Sequence, residues 1–212
     1  MQHAIEFLKM IGALDENENL SYLGKYLSVL PVDPKLGKML IMGAIFRCFD
    51  PVDTIAADLS VRDPFLLPQD KKVVNLLGCL NPHTFVQIIQ AYTSDVWYMI
   101  HLSSILIMDS WNIKSRFSAK DYSDHMALVR AYEGWKDAER EGSAYEHCWR
   151  NFLSAQTLQA IHSLSKQFAF ILKDAGLLEA DAATNNKLSH NQSLVRAFIF
   201  SGLFPGVASV VV

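Results

Sequence analysis

Apolar residues recur every three to four positions along most of this chain, the spacing of helices buried along one side. In AIEFLKMIGALD, Ile5, Leu8 and Ile11 share a face, and Gly12 closes the turn before the polar DENENL. SYLGKYLSVLP offers Ser21 as N-cap and Pro31 as a stop. DPKLGKMLIMGAIFRCF pairs Asp33 as N-cap with Pro34 at the first helical position and predicts a helix of about fourteen residues. DPVDTIAADLSV predicts the same start with Asp50 and Pro51, since the carboxylate accepts orphan amides and the proline has no amide to lose. Further on, Met126, Val129, Tyr132 and Trp135 line one helix, with Lys136, Asp137, Glu139, Arg140 and Glu141 gathered at its wet end. Leu158, Ile161, Leu164, Phe168, Ile171 and Leu172 line the next, and Gly176 falls where a C′ glycine belongs. NQSLVRAFIFSGLFPG repeats the grammar of polar cap, apolar helix, Gly202 and Pro205. VASVVV reads as a strand, with no partner strand in the sequence. The pattern predicts a mainly α protein.

Residues 73–113 break this grammar. They hold none of the chain's 19 Lys and Arg, cap poorly and are interrupted by Pro82. The most apolar run, Val96 to Trp111, includes His101, Ser103 and Ser104, and its uncharged part lies between Asp95 and Asp109. As a helix its uncharged part spans roughly 20 Å, short of the roughly 30 Å hydrocarbon core, so no membrane span is expected.

Composition narrows the class. Half of the 212 residues are hydrophobic, enough for a globular core, and a net charge of −3 argues against a basic nucleic-acid clamp while leaving a local patch open. Cys48, Cys79 and Cys148 are odd in number and lack a C-x-x-C pair, which predicts reduced thiols rather than a disulfide framework or zinc knuckle. Glu6 and Lys9 interrupt the N-terminal apolar pattern, so no signal peptide is read there. The Gly-Lys pairs in LGKYL and LGKML lack the upstream glycine and following Ser or Thr of a phosphate-binding loop, and both are read as helix residues. None of the seven histidines forms a ligand-spaced pair, and Asp121 and Asp124 are read as capping carboxylates. The residue types alone identify no active site.

The stretch from Ile11 to Pro68, IGALDENENLSYLGKYLSVLPVDPKLGKMLIMGAIFRCFDPVDTIAADLSVRDPFLLP, resembles the helicase-associated region of DEAH/RNA helicase A-like ATP-dependent RNA helicases. RFSAKDYSDHMALVRAYEGW, CWRNFLSAQTLQAI and LVRAFIFSGLFPGVASV continue the likeness, which is strongest to plant-type members. The resemblance implies a partial winged helix (1–30), a helical ratchet bundle (31–72 and 114–204) and a truncated β start of an OB-fold (205–212). Residues 73–113 depart from the family pattern and are read as an apolar insertion, with the composition of translated non-coding sequence.

The same resemblance implies a role. The family's ratchet packs on RecA-like motor domains and encloses single-stranded RNA, while ATP and Mg²⁺ belong to those motor domains. This chain shows no Walker loop, no D-E-x-H box and no arginine-finger motif, so no cofactor is expected in it. The candidate RNA-binding residues are Asp124, His125, Arg150, Asn151 and Gln156. Each has a plainer reading, such as an N-cap for Asp124 and a buried inter-helix hydrogen bond for Asn151. The alternative function is a non-catalytic helical protein-interaction module. A nuclear or cytoplasmic location is expected, not a secreted one.

Overall fold

The computed structural model describes residues 2–66, 114–118 and 123–204. Its elements are α1 (Gln2–Met10), α2 (Tyr22–Leu27), α3 (Pro34–Ile45), α4 (Phe49–Leu59), α5 (Asp124–Arg140), α6 (Ala144–Arg150), α7 (Ala155–Asp174), α8 (Ala182–Asn185) and α9 (Gln192–Leu203). A short helical stretch also covers 114–118. The chain divides into Met1–Arg62 with Ala160–Val212, and Asp63–Gln159. The mainly α reading holds. The apolar insertion 73–113 and the OB-fold start 205–212 lie outside the described residues.

In the first unit, Gly12 leaves α1 at φ +84°, and the Asp15 carboxylate closes the following turn by accepting from the amides of Asn17 (2.9 Å) and Asn19 (2.8 Å). Leu14 and Leu20 then form an isolated antiparallel bridge. Ser21 caps α2, accepting from the Gly24 amide at 3.0 Å. The two Gly-Lys glycines do sit in helices, and each allows a close approach. A Cβ on Gly24 would lie 2.1 Å from the Ala13 carbonyl oxygen, and one on Gly37 would lie 2.7 Å from Leu27 Cδ2. Asp33 caps α3 with Pro34 in its first turn, as expected. Helix α3 packs on α4 and α9 around buried Met39, Leu40, Val52, Ile55 and Val195. Phe46 and Phe198 stack there with centroids 4.9 Å apart.

Three local expectations are corrected. Helix α4 begins at Phe49, its N-cap is Cys48 without a side-chain bond, and Asp50 lies inside the first turn. The amide of Asp50 is instead satisfied by Asn186 Oδ1 at 2.8 Å, a partner too distant in sequence to foresee. Helix α2 ends at Leu27, before Pro31. Gly202 lies within α9 rather than beyond it, and its missing side chain lets α9 approach α3, where a Cβ would meet Met39 Cβ at 2.8 Å. Gly176 behaves as read: at φ +73° it donates to Lys173 O (3.0 Å) while Leu177 donates to Leu172 O (2.9 Å), a Schellman close to α7.

In the second unit, Met126, Val129, Tyr132 and Trp135 form the buried stripe of α5, with Trp135 only 1% exposed. Gly142, at φ +76°, turns the chain into α6, which packs on α5. A Cβ at Gly134 would approach the His147 ring at 3.1 Å. Cys48 and Cys148 are free and buried, each in its own unit, and burial pushes the Cys48 thiol up to about 11. Among the described residues, no helix is long and apolar enough to cross a membrane.

Candidate nucleic-acid interface

All five candidate residues lie in the unit Asp63–Gln159, at the ends of its helices. Ser123, not Asp124, caps α5, accepting from the Met126 amide at 3.4 Å. Asp124 is therefore the first helical residue, with its side chain 78% exposed. His125 follows, and burial lowers its pKa below the ordinary 6.5; Asp124 raises it in part and Lys114 adds to the lowering.

Arg150 ends α6 with its side chain 73% exposed and paired to Glu146 one turn back. Asn151 is the C-cap of α6, and its Nδ2 donates to His147 O at 2.9 Å, a bond within its own helix rather than between helices. Phe152 takes a left-handed backbone, φ +52°, which a non-glycine residue adopts only when held there. The next turn begins at Ser154, whose Oγ accepts from Thr157 N (3.2 Å) and Thr157 Oγ1 (2.9 Å) at the start of α7. Gln156 is exposed in that first turn.

Residues 63–66 connect the two groups. Leu66 N donates to Phe152 O at 2.8 Å, Ser154 N donates to Pro64 O at 2.8 Å, and Phe65 bridges Leu153. These bonds hold the strained turn between Asn151 and Gln156. On the other side, Lys114 Nζ lies 3.1 Å from Asp63 Oδ2, 3.7 Å from Asp124 Oδ2 and 5.4 Å from the Phe65 ring centroid. Burial opposes the Lys114 charge, but the hydrogen bond and charge of Asp63, with Asp124 adding, raise its pKa above 10.5 overall. Asp63 and Phe65 belong to the DPF motif and Lys114 opens KSRF, yet neither motif signalled in sequence that they would meet.

The arrangement offers polar helix ends rather than a basic clamp. Both Lys114 and Arg150 have carboxylate neighbours. Exposed pairs of this kind contribute only about 0–1 kcal/mol, so a phosphate can compete for the Arg150 guanidinium. The N-termini of α5 and α7 carry partial positive charge and amides suited to phosphate oxygens. Among the described residues, no group of His, Cys, Asp and Glu is arranged to hold a metal ion.

Two family models match the sequence. The winged-helix part of the helicase-associated domain (HA2) matches residues 4–32, and its ratchet-like part matches 33–128. The DExH-box ATP-dependent RNA helicase DExH3 of Arabidopsis thaliana is 52% identical over 211 residues, covering 100% of this chain and 15% of the relative. DExH1 of the same plant is 36% identical, covering 98% of this chain and 17% of the relative. The human ATP-dependent DNA/RNA helicase DHX36 is 37% identical, covering 98% and 18%. The chain thus spans less than a fifth of the length of these relatives. With its winged-helix and ratchet-like stretches adjoining and these three relatives all ATP-dependent helicases, the chain belongs to the helicase-associated (HA2) region of the DEAH/DExH helicase family.

Proposed function

We propose that this chain is the RNA-channel part of an ATP-dependent DEAH-type RNA helicase, holding single-stranded RNA while RecA-like motor domains outside it bind and hydrolyse ATP with Mg²⁺. The observation that carries this reading is the set of exposed polar side chains on three helix ends of one unit: Asp124 on α5, Arg150 on α6 and Gln156 on α7. Backbone contacts of this kind position a strand without reading its sequence. With a net charge of −3 and with Lys114 and Arg150 both beside carboxylates, the chain alone binds weakly and gives way to salt. It does not turn over ATP by itself. The reading puts the protein in the nucleus or cytoplasm.

Fluorescence anisotropy of a labelled oligouridylate titrated with the 212-residue chain tests the proposal. The expected result is micromolar or weaker binding that falls steeply with added salt. Nanomolar, salt-resistant binding, or none at low salt, would overturn it.

A second reading, a helical protein-interaction module, has one observation in its favour. A cleft of about 420 Å³ in the first unit is lined by Tyr22, Lys25, Tyr26, Val29, Asp174 and Ala175. Tyr22 is 85% exposed and Val29 58%, so the cleft presents apolar surface to solvent. Loss of partner capture by the full-length helicase on Tyr22→Ala, with RNA binding intact, would favour that reading.

A further inference from the structure

We infer that Lys114 is a positioning residue: with Asp63 and Phe65 it clasps the start of α5 to the connector 63–66 and so sets the spacing between the two polar ends proposed to grip RNA. The inference rests on the RNA-channel reading above. Its geometry is independent of that reading. The connector is fastened to the turn 152–154 by two backbone hydrogen bonds of 2.8 Å and a bridge, so it moves with Arg150, Asn151 and Gln156. The start of α5 has no such backbone tie to the connector among the described residues. At its first residue the link is Lys114, which reaches Asp63 at 3.1 Å and Asp124 at 3.7 Å and lies over the Phe65 ring, while Arg130 two turns on reaches the connector through Phe117.

Lys114 is itself seated. Three residues along the same helical stretch, Phe117 packs against Phe65 with centroids 5.9 Å apart. Arg130, one face of α5 further on, donates Nη1 to Phe117 O (2.7 Å) and Ser118 O (2.9 Å), fixing the C-terminal end of 114–118. Lys114 thus approaches Asp63 from a fixed base, which lowers the entropy cost of the ion pair. A flexible strand gripped at two points binds best when the spacing is preset, because the protein then loses less freedom on binding.

A cation beside the site could instead touch phosphate directly, and the two roles predict opposite signs for Asp63. If Lys114 contacts phosphate, Asp63→Asn removes a competing carboxylate and strengthens binding. If Lys114 clasps, Asp63→Asn breaks the clasp and weakens binding. Oligouridylate affinity is measured by anisotropy for Lys114→Met, Lys114→Arg, Asp63→Asn and Arg150→Ala in the whole chain, with circular dichroism to confirm folding. We expect Lys114→Met and Asp63→Asn each to weaken binding about fivefold, the upper range of an exposed ion pair. Lys114→Arg should retain binding. The salt slope should be unchanged in Lys114→Met but shallower by about one contact in Arg150→Ala. Stronger binding by Asp63→Asn, or unchanged binding by both clasp variants while Arg150→Ala weakens it, would overturn the clasp alone. Unchanged binding in Arg150→Ala as well would overturn the RNA-channel reading with it.

Discussion

Phe65 and Phe117 meet edge to face, ring centroids 5.9 Å apart, although residues 66–116 separate them in sequence. Together with Lys114 on Asp63 and Arg130 on the carbonyls of Phe117 and Ser118, the contact seats both chain ends that flank residues 67–113 in one unit. That unit is closed by residues on either side of the apolar stretch.

The first prediction follows from this closure. Deleting Val73–Ile113 leaves residues 67–72 to join Leu66 to Lys114, a reach of up to roughly 20 Å, ample for ends already in contact. Shortening a loop changes its closure entropy slowly, by about 0.6 kcal/mol per doubling of length. The expected outcome is an unchanged or higher melting temperature and better solubility, since a long apolar run without Lys or Arg is lost. Because the ratchet-like match at 33–128 runs through these residues, loss of cooperative unfolding on deletion would show them to be part of the core.

The second prediction concerns pH. Burial lowers the pKa of both His125 and His147, so the folded state disfavours their charged forms. Above the ordinary histidine value of 6.5, both residues are neutral folded and unfolded, and their full stability contribution is present. As pH falls below 6.5 the unfolded chain takes up protons first, and stability declines until the folded-state values are passed. Thermal melts in steps from neutral to mildly acidic pH should show this decline, and His147→Gln should flatten it. A melting temperature independent of pH in that window would contradict the burial of both rings.

Glycine substitutions should rank by what their Cβ meets. Gly24→Ala drives a methyl to 2.1 Å from the Ala13 carbonyl oxygen, backbone that cannot swing aside. Gly37→Ala meets Leu27 Cδ2 at 2.7 Å, the far end of a flexible side chain. Overpacking costs typically about 1–3 kcal/mol, and Gly24→Ala should sit at or above the top of that range with Gly37→Ala below it. Urea melts of the two variants measure the order. The reverse order would mean that α2 is not pressed on Ala13.

The helix starts show how far the sequence could be read. Asp33–Pro34 and Asp50–Pro51 look alike in sequence, but only Asp33 is an N-cap. The difference comes from Asn186, which satisfies the Asp50 amide and lets α4 begin one residue earlier than Asp50. Local signals predict a cap; a partner 136 positions away decides whether it is used. Asp33→Ala should therefore cost about 1 kcal/mol and Asp50→Ala distinctly less, by chemical denaturation. Equal losses would restore the symmetric reading.

The buried stripes of α5 and α7 were legible for the opposite reason, since a 3.6-residue period registers only burial against something. Met126, Val129, Tyr132, Trp135, Leu158, Ile161, Phe168 and Leu172 are buried, while Leu164 and Ile171, read on the same α7 stripe, are only partly so. The family was legible through long motifs, and the five candidate residues through their places in those motifs. What joins them was not legible. Asp63, Phe65 and Lys114 are brought together by tertiary closure across residues 67–113, and no pattern of spacing encodes that meeting.

In the proposed role, single-stranded RNA lies across the ends of α5, α6 and α7. Photo-crosslinking of an oligouridylate carrying 4-thiouridine to the 212-residue chain, mapped by mass spectrometry, tests it most directly. Crosslinks concentrated at 123–126 and 150–157, and suppressed by salt, are the predicted result. Crosslinks confined to the first unit, or none above a protein control of similar charge, would contradict it.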